Sequence, residues 1–177
     1  MTALIACVLP CAGASAAPQT KPDVPIPPVE GRVARDAQTA TMRAIANHRE
    51  RARAAAREVD GVVDTATAQI GDGYAYGGSG PDGFDCSGLT AYAFARAGVA
   101  LPHNSHGQAA MGEPVARDEI RPGDLVFFST AGPGASHVGI ATGSNTVVSA
   151  TTSGGVIQHS TTDAYWGGHY VGARRIL

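Results

Sequence analysis

One cysteine lies beyond the first eleven residues of this 177-residue chain, and its surroundings make it a candidate nucleophile. Cys86 follows the Gly- and Pro-rich run Gly77-Gly78-Ser79-Gly80-Pro81-Asp82-Gly83, which must be a tight loop. Residues 89–97 behind it are helical in composition, and Gly98 sits where a C-terminal cap belongs. Asp85 is a good N-cap, so Cys86 falls in the first helical turn. The unpaired N–H groups and the dipole there favour an anion, and can lower a thiol pKa from about 8.5 toward 3.5–7.5. The plainer alternative is a buried free thiol that packs as a small hydrophobe.

A thiolate nucleophile needs a base. The histidines are His48, His103, His106, His137, His159 and His169. His48 sits in an Arg-rich helical segment, and His103 and His106 follow Leu101-Pro102 in a loop. His137 opens the strand His137-Val138-Gly139-Ile140-Ala141-Thr142, Gly143-Ser144-Asn145 is a hairpin turn, and residues 146–151 return. Period-two alternation puts Val138, Ile140, Val148 and Ala150 toward the core, and His137, Gly139, Ser149 and Thr151 on the other face. From the start of its strand His137 can reach across to a helix N-terminus.

The elements that must hold these groups belong to a small domain with attachments. Apolar residues at 44% and charged residues at 16% describe a globular chain. A net charge of -2 lacks the basic footprint of a dedicated nucleic-acid binder. No apolar run approaches the roughly 18 residues of a membrane span. The first twenty residues are uncharged, and Ala14-Ser15-Ala16 supplies a small-residue cleavage pattern, so residues 1–16 read as an export signal. Leu4-Ile5-Ala6-Cys7 also resembles a lipoprotein box, a second reading with too short an apolar run before it. Residues 17–31 are a Pro-rich spacer. Residues 32–60 hold neither Gly nor Pro, carry seven Arg against four acids, and read as helix with a narrow apolar stripe at Val33, Met42, Ile45 and Val59. That segment is either a solvated spacer or a basic helix that docks on the acidic remainder. A short helix over residues 62–70, stopped by Gly71, begins the domain of residues 61–177.

Five stretches together resemble the NlpC-type cell-wall peptidases. They are Tyr74-Ala75-Tyr76-Gly77-Gly78, Phe84-Asp85-Cys86-Ser87-Gly88-Leu89, Arg121-Pro122-Gly123-Asp124-Leu125-Val126-Phe127-Phe128, Ser136-His137-Val138-Gly139-Ile140, and Tyr165-Trp166-Gly167-Gly168-His169-Tyr170-Val171-Gly172-Ala173-Arg174-Arg175. They cover about residues 61–177, in order. The resemblance implies an α+β, papain-like fold in which a Cys-bearing helix packs on a small antiparallel sheet, here with an N-terminal helical extension. It implies hydrolysis of peptidoglycan stem peptides, commonly between D-glutamate and the diamino acid. No cluster of residues has metal-ligand spacing, no cofactor is expected, and the chain is expected to act as a monomer.

Carried over residue by residue, Cys86 is the nucleophile, His137 the base, and the Cys86 N–H part of an oxyanion site. Tyr74, Asp85 and Ser87 match positions that contact substrate, although Asp85 is equally explained by helix capping. Tyr76 is expected in the core and Trp166 in packing or a cleft wall. Arg121-Pro122-Gly123-Asp124 is expected to turn into a buried strand. The sequence departs from the family at the residue that orients the histidine. The family commonly has His, Asn, Gln or Glu there, and this chain has Ser149, with His159 and Thr151 as weaker substitutes. Two rivals follow: a wall-binding module that has lost turnover, and an amidase of the same fold that cuts another amide bond. Export would place any of the three in the periplasm or cell wall.

Overall fold

The computed structural model describes Pro25, residues 29–80 and residues 82–177. The signal assigned to residues 1–16 and most of the spacer assigned to 17–31 lie outside the described residues. Helix α1 (Val29–Thr67) takes up the Ala- and Arg-rich run. Both are among the better helix formers, and the run has no Pro to interrupt it. The sequence reading put separate helices on either side of Gly61; the structure has one. An interior Gly costs about 1 kcal/mol relative to Ala. Burial of Val62 and Ala66 immediately beyond it offsets that cost.

The described residues divide into two units, one ending at Arg43 and the other spanning Ala44–Leu177. In the first, the described residues 29–43 are helical, and Val33 and Met42 stand exposed. The second begins within α1. There Ile45 is exposed, whereas Val59 covers Gly123, at which any side chain would collide with it.

After α1 come a short ribbon, β1 (Ser79–Gly80) and β2 (Gly83–Phe84), and then helices α2 (Cys86–Arg96) and α3 (Ser105–Ala109). Strand β3 (Glu113–Val115) and a 3-10 turn at Arg117–Glu119 lead to β4 (Leu125–Phe128), β5 (His137–Ala141), β6 (Thr146–Thr151) and β7 (Gly155–Ser160). The short helix α4 (Ala164–Gly168) and β8 (Tyr170–Arg175) close the chain. The main sheet is antiparallel, in the order β3-β8-β4-β5-β6-β7.

Alternation along the central strands divides the core into two layers. Leu125, Phe127, Val138, Ile140, Val148 and Ala150 meet Leu89, Ala93 and Phe94 of α2 and Val62 and Ala66 of α1. On the opposite face Val126, Phe128, Ala141, Val147 and Ala173 are covered by Ile120, Trp166 and Tyr170. The His137 face of the hairpin is therefore a second apolar layer, and β4 to β6 are buried on both sides. The turn at Arg121-Pro122-Gly123-Asp124 does lead into a buried strand. Asp124, only 2% exposed, accepts from the Arg121 N–H and from two guanidinium nitrogens of Arg175 at 2.8 and 2.7 Å. This paired charge ties the last strand to the turn before β4, and the Asp124 carboxylate in turn holds the Arg175 pKa above its usual value.

Candidate active site

Asp85 caps α2 as its sequence position implies: Oδ1 accepts from the Gly88 N–H at 2.7 Å. The carboxylate does more than cap. Oδ1 also accepts from the Ser87 hydroxyl at 3.0 Å and lies 2.9 Å from His103 Nε2, and Oδ2 accepts from the Gly77 N–H at 3.0 Å. Burial alone would raise the Asp85 pKa, but the bonds from Gly88, His103 and Ser87 prevail and hold it below the ordinary carboxylate value. One ionised side chain thus joins the glycine loop, the first turn of α2 and the His103 loop.

A second polar tie lies beneath the first turn. Gln108 is fully buried; its Nε2 donates to the Ser87 carbonyl at 3.0 Å and to the Pro102 carbonyl at 2.8 Å. Its Oε1 accepts from the Thr90 hydroxyl at 2.7 Å. Nothing in the sequence around Gln108 marks it for this role.

The glycine loop lies so close to α2 that Gly88 has no room for a side chain. A Cβ there would collide with the Gly78 carbonyl, a backbone atom that also accepts from the Asp85 N–H, and would come within 2.8 Å of His103 Nε2. Gly88→Ala is therefore expected to destabilise the protein by about 1–3 kcal/mol, as overpacking does. Thermal unfolding should show a drop in Tm of roughly 5 °C. Gly168→Ala, where a Cβ meets nothing within 4 Å, should leave Tm unchanged. An unshifted Tm in Gly88→Ala would mean that the loop yields freely.

Cys86 and His137 open onto one cleft of about 760 Å³. Tyr74, Tyr76, Asp85, Ser87, His103 and Trp166 also line it. The structure therefore brings Tyr74, Asp85, Ser87, Cys86 and His137 together, whereas Ser149 stands behind His137 and off the cleft surface. No residue of α1 from 44 to 67 lines it. Tyr76, expected in the core, is 95% exposed at the cleft margin. Its Gly-rich neighbours hold the chain in a surface loop, so an aromatic side chain there has no interior to enter.

The thiol corrects the expectation from the helix N-terminus. Burial pushes the Cys86 pKa up, and the negative charge of Asp85 adds to the rise. The N–H groups of Val138, Ser87 and Cys86 itself face the sulfur and favour the thiolate, without overcoming burial. Burial first, and the neighbouring His159 second, lower the His137 pKa to about 4. The resting pair is a neutral thiol and a neutral imidazole. No hydrogen bond joins the two side chains; the His137 Nε2 partner is the Ser149 hydroxyl. Tyr74 is half-buried, and its hydroxyl pKa is raised by burial and then by proximity to Cys86 and Asp85.

His137 begins β5 opposite Phe128, is 7% exposed, and lies against Trp166 with ring centroids 5.3 Å apart. Its Nε2 is 3.0 Å from the Ser149 hydroxyl, so the return strand does place Ser149 on the imidazole. Nδ1 makes no hydrogen bond among the described residues and is left open to the cleft. Behind Ser149 stands a residue that the sequence reading ranked lower. His159 Nε2 is 2.9 Å from the same hydroxyl, and its ring stacks on Trp166 at 3.7 Å. A second hairpin supplies the signal. With Thr151 opposite Gly155, His159 falls opposite Val147, on the face of Ser149 and diagonal to it. Among the described residues, no three His, Cys, Asp or Glu side chains gather as metal ligands.

Residues 71–175 match the family model described as the NlpC/P60 family. A probable endopeptidase of Corynebacterium glutamicum is 41% identical over 128 residues, which are 72% of this chain and 59% of that one. A probable endopeptidase of Mycobacterium tuberculosis is 49% identical over 94 residues, 52% of this chain and 23% of the relative. The chain thus spans less than two thirds of the length of the curated relatives it matches. Among solved structures, the peptidoglycan hydrolase RipB of Mycobacterium tuberculosis aligns with a TM-score of 0.62 at 33% identity, over 72% of this chain and 68% of that one. An NlpC/P60 family protein of Bacillus cereus aligns with a TM-score of 0.63 at 29% identity, over 67% and 40% of the two chains. The α+β, papain-like arrangement expected from the sequence is the one these structures share. The glycine loop, the Cys-bearing helix, the His-bearing strand and the hairpin behind it all fall inside the matched span, and the chain belongs to the NlpC/P60 family.

Proposed function

We propose that the protein is an exported cysteine peptidase that hydrolyses stem-peptide amide bonds of peptidoglycan, between D-glutamate and the diamino acid. The observation that carries the reading is the sharing of one cleft by Cys86, at the N-terminus of α2, and an imidazole whose Nδ1 is open to it. The names of its relatives, probable endopeptidases and a peptidoglycan hydrolase, support the same class.

The chemistry follows from the resting protonation states. As the sulfur attacks the scissile carbonyl carbon, the thiol proton passes to His137 Nδ1. The carbonyl oxygen becomes an oxyanion beside the Cys86 N–H, in the first turn of α2. Collapse expels the amine, which takes the proton from His137, and leaves a thioester. Water then attacks the thioester, His137 accepts the water proton, and that proton returns to the departing sulfur. Asp85 keeps the nucleophile's turn rigid, while Tyr74 and Ser87 hold the peptide along the cleft.

Digestion of purified muropeptides, read by mass spectrometry, tests the assignment. The expected products are a disaccharide bearing L-alanyl-D-glutamate and a free peptide that begins at the diamino acid. Sugar freed from the whole stem peptide would instead make the protein an amidase. Binding without any product would make it a wall-binding module.

A further inference from the structure

We propose that His159 is a positioning residue for His137, acting through the hydroxyl of Ser149. The inference rests on the reading of Cys86 and His137 as nucleophile and base, and it adds a fourth group to that reading.

The direction of every hydrogen bond in the line follows from one atom that can only accept. His159 Nδ1 lies 3.3 Å from the Ser160 carbonyl, so Nδ1 carries the proton. In neutral His159, Nε2 is then an acceptor, and burial keeps the residue neutral by pushing its pKa below the usual histidine value. The Ser149 hydroxyl, 2.9 Å away, donates to it. Ser149 is fully buried and has a single proton, so toward His137 its oxygen can only accept. His137 Nε2, 3.0 Å from that oxygen, must therefore be the protonated nitrogen. Its Nδ1 is left with a free lone pair toward the cleft, the form a base needs.

Reversing the line would leave His137 protonated at Nδ1 and unable to take the thiol proton. A lone Ser149 hydroxyl could adopt either sense, because it can donate or accept. The outer imidazole removes that choice, and this accounts for a Ser standing where a longer polar side chain would orient the base unaided. Trp166 fixes the ring planes of both histidines, stacked on His159 with an interplanar angle of 17° and against His137 at 5.3 Å. Asp163 caps α4 by accepting from the Trp166 backbone N–H at 2.7 Å, and its charge partly opposes the fall in the His159 pKa.

Two replacements separate orientation from packing. His159→Phe keeps an aromatic ring to stack on Trp166 but removes the acceptor. His159→Gln loses the ring but can present Oε1 where Nε2 was. The test uses the full chain and two readouts, muropeptide hydrolysis and the rate of Cys86 alkylation by iodoacetamide. Alkylation forms one C–S bond, releases iodide and passes the thiol proton to His137, so it reports the base without any wall substrate. His159→Phe should lower kcat about 10- to 100-fold with KM unchanged, the scale of a misplaced catalytic group. It should slow alkylation alongside, and His159→Gln should restore most of both. In a Ser149→Ala background His159→Phe should cost nothing further, because the path is already cut. Melting curves identify any variant that has failed to fold, and the Ser149→Ala pair then decides. Full activity in His159→Phe would overturn the proposal, as would equal losses in Phe and Gln or additive losses with Ser149→Ala. If the wild-type chain releases no muropeptide product while the alkylation pattern holds, the proposed substrate fails and the role of His159 stands.

Discussion

Replacing Cys86 with Ala should remove hydrolysis and leave the fold in place. In the proposed mechanism the nucleophile is the one group with no neighbour able to substitute for it, because Cys86 is the free cysteine among the described residues. Deleting the nucleophile of a comparable covalent enzyme costs on the order of 10⁶ in kcat. Here the loss should exceed about 10⁴, with residual turnover from the oxyanion site and binding alone. The fold should tolerate the change for local reasons. Cys86 is only partly buried, and the helix cap belongs to Asp85, whose bonds to Gly88, Ser87, His103 and Gly77 do not involve the sulfur. Removing Sγ therefore empties little packed volume, and Tm should shift by no more than about 3 °C. Muropeptide release measured beside a melting curve checks both halves. Wild-type turnover in Cys86→Ala would discard the covalent route, whereas a collapsed melting transition would show that the thiol also supports the first turn.

What the sequence made legible depended on how local each signal was. The position of Cys86 rests on a glycine loop, an N-cap and a helix within residues 77–96, and the structure reproduces all three. The β5–β6 hairpin was equally local, since a three-residue turn and period-two alternation place Ser149 on the His137 side. Legibility ended where partners come from distant segments. The bond of Arg175 to Asp124 spans 51 residues and that of Gln108 to Ser87 spans 21, and neither leaves a local pattern. His159 lay between these cases, because β7 ends in the polar run Gln158-His159-Ser160 and presents less alternation than β5 or β6. The misplacement of Tyr76 and the direction of the Cys86 shift share a cause. Both depend on burial, which a residue's type suggests but only the packed loop decides.

The same burial sets the pH behaviour expected of His137. Its imidazole is held at about 4 by desolvation first and by His159 second, and the Cys86 thiol is pushed up by desolvation. Between those limits the free protein holds a neutral base and an intact thiol proton, the state from which attack begins. The kcat/KM profile reports groups of the free enzyme, so it should stay flat across neutral pH and fall on the acid side only near pH 4. Its alkaline limb should lie above the ordinary thiol range. Stability should follow a related curve. The unfolded chain binds a proton at this histidine from about pH 6.5 downward, while the folded chain does not until about pH 4. More protons bound in the unfolded state means that stability rises with pH, so it is complete above 6.5 and is lost as pH falls toward 4. A shift of this size corresponds to about 3 kcal/mol. His137→Ala should lower kcat by about 10²- to 10⁴-fold through loss of the base. The same variant should flatten stability between pH 6.5 and 4 in denaturant titrations, relative to wild type. An acid limb in kcat/KM near 6.5, with stability equally pH-dependent in His137→Ala, would mean that the imidazole is solvated when the nucleophile acts.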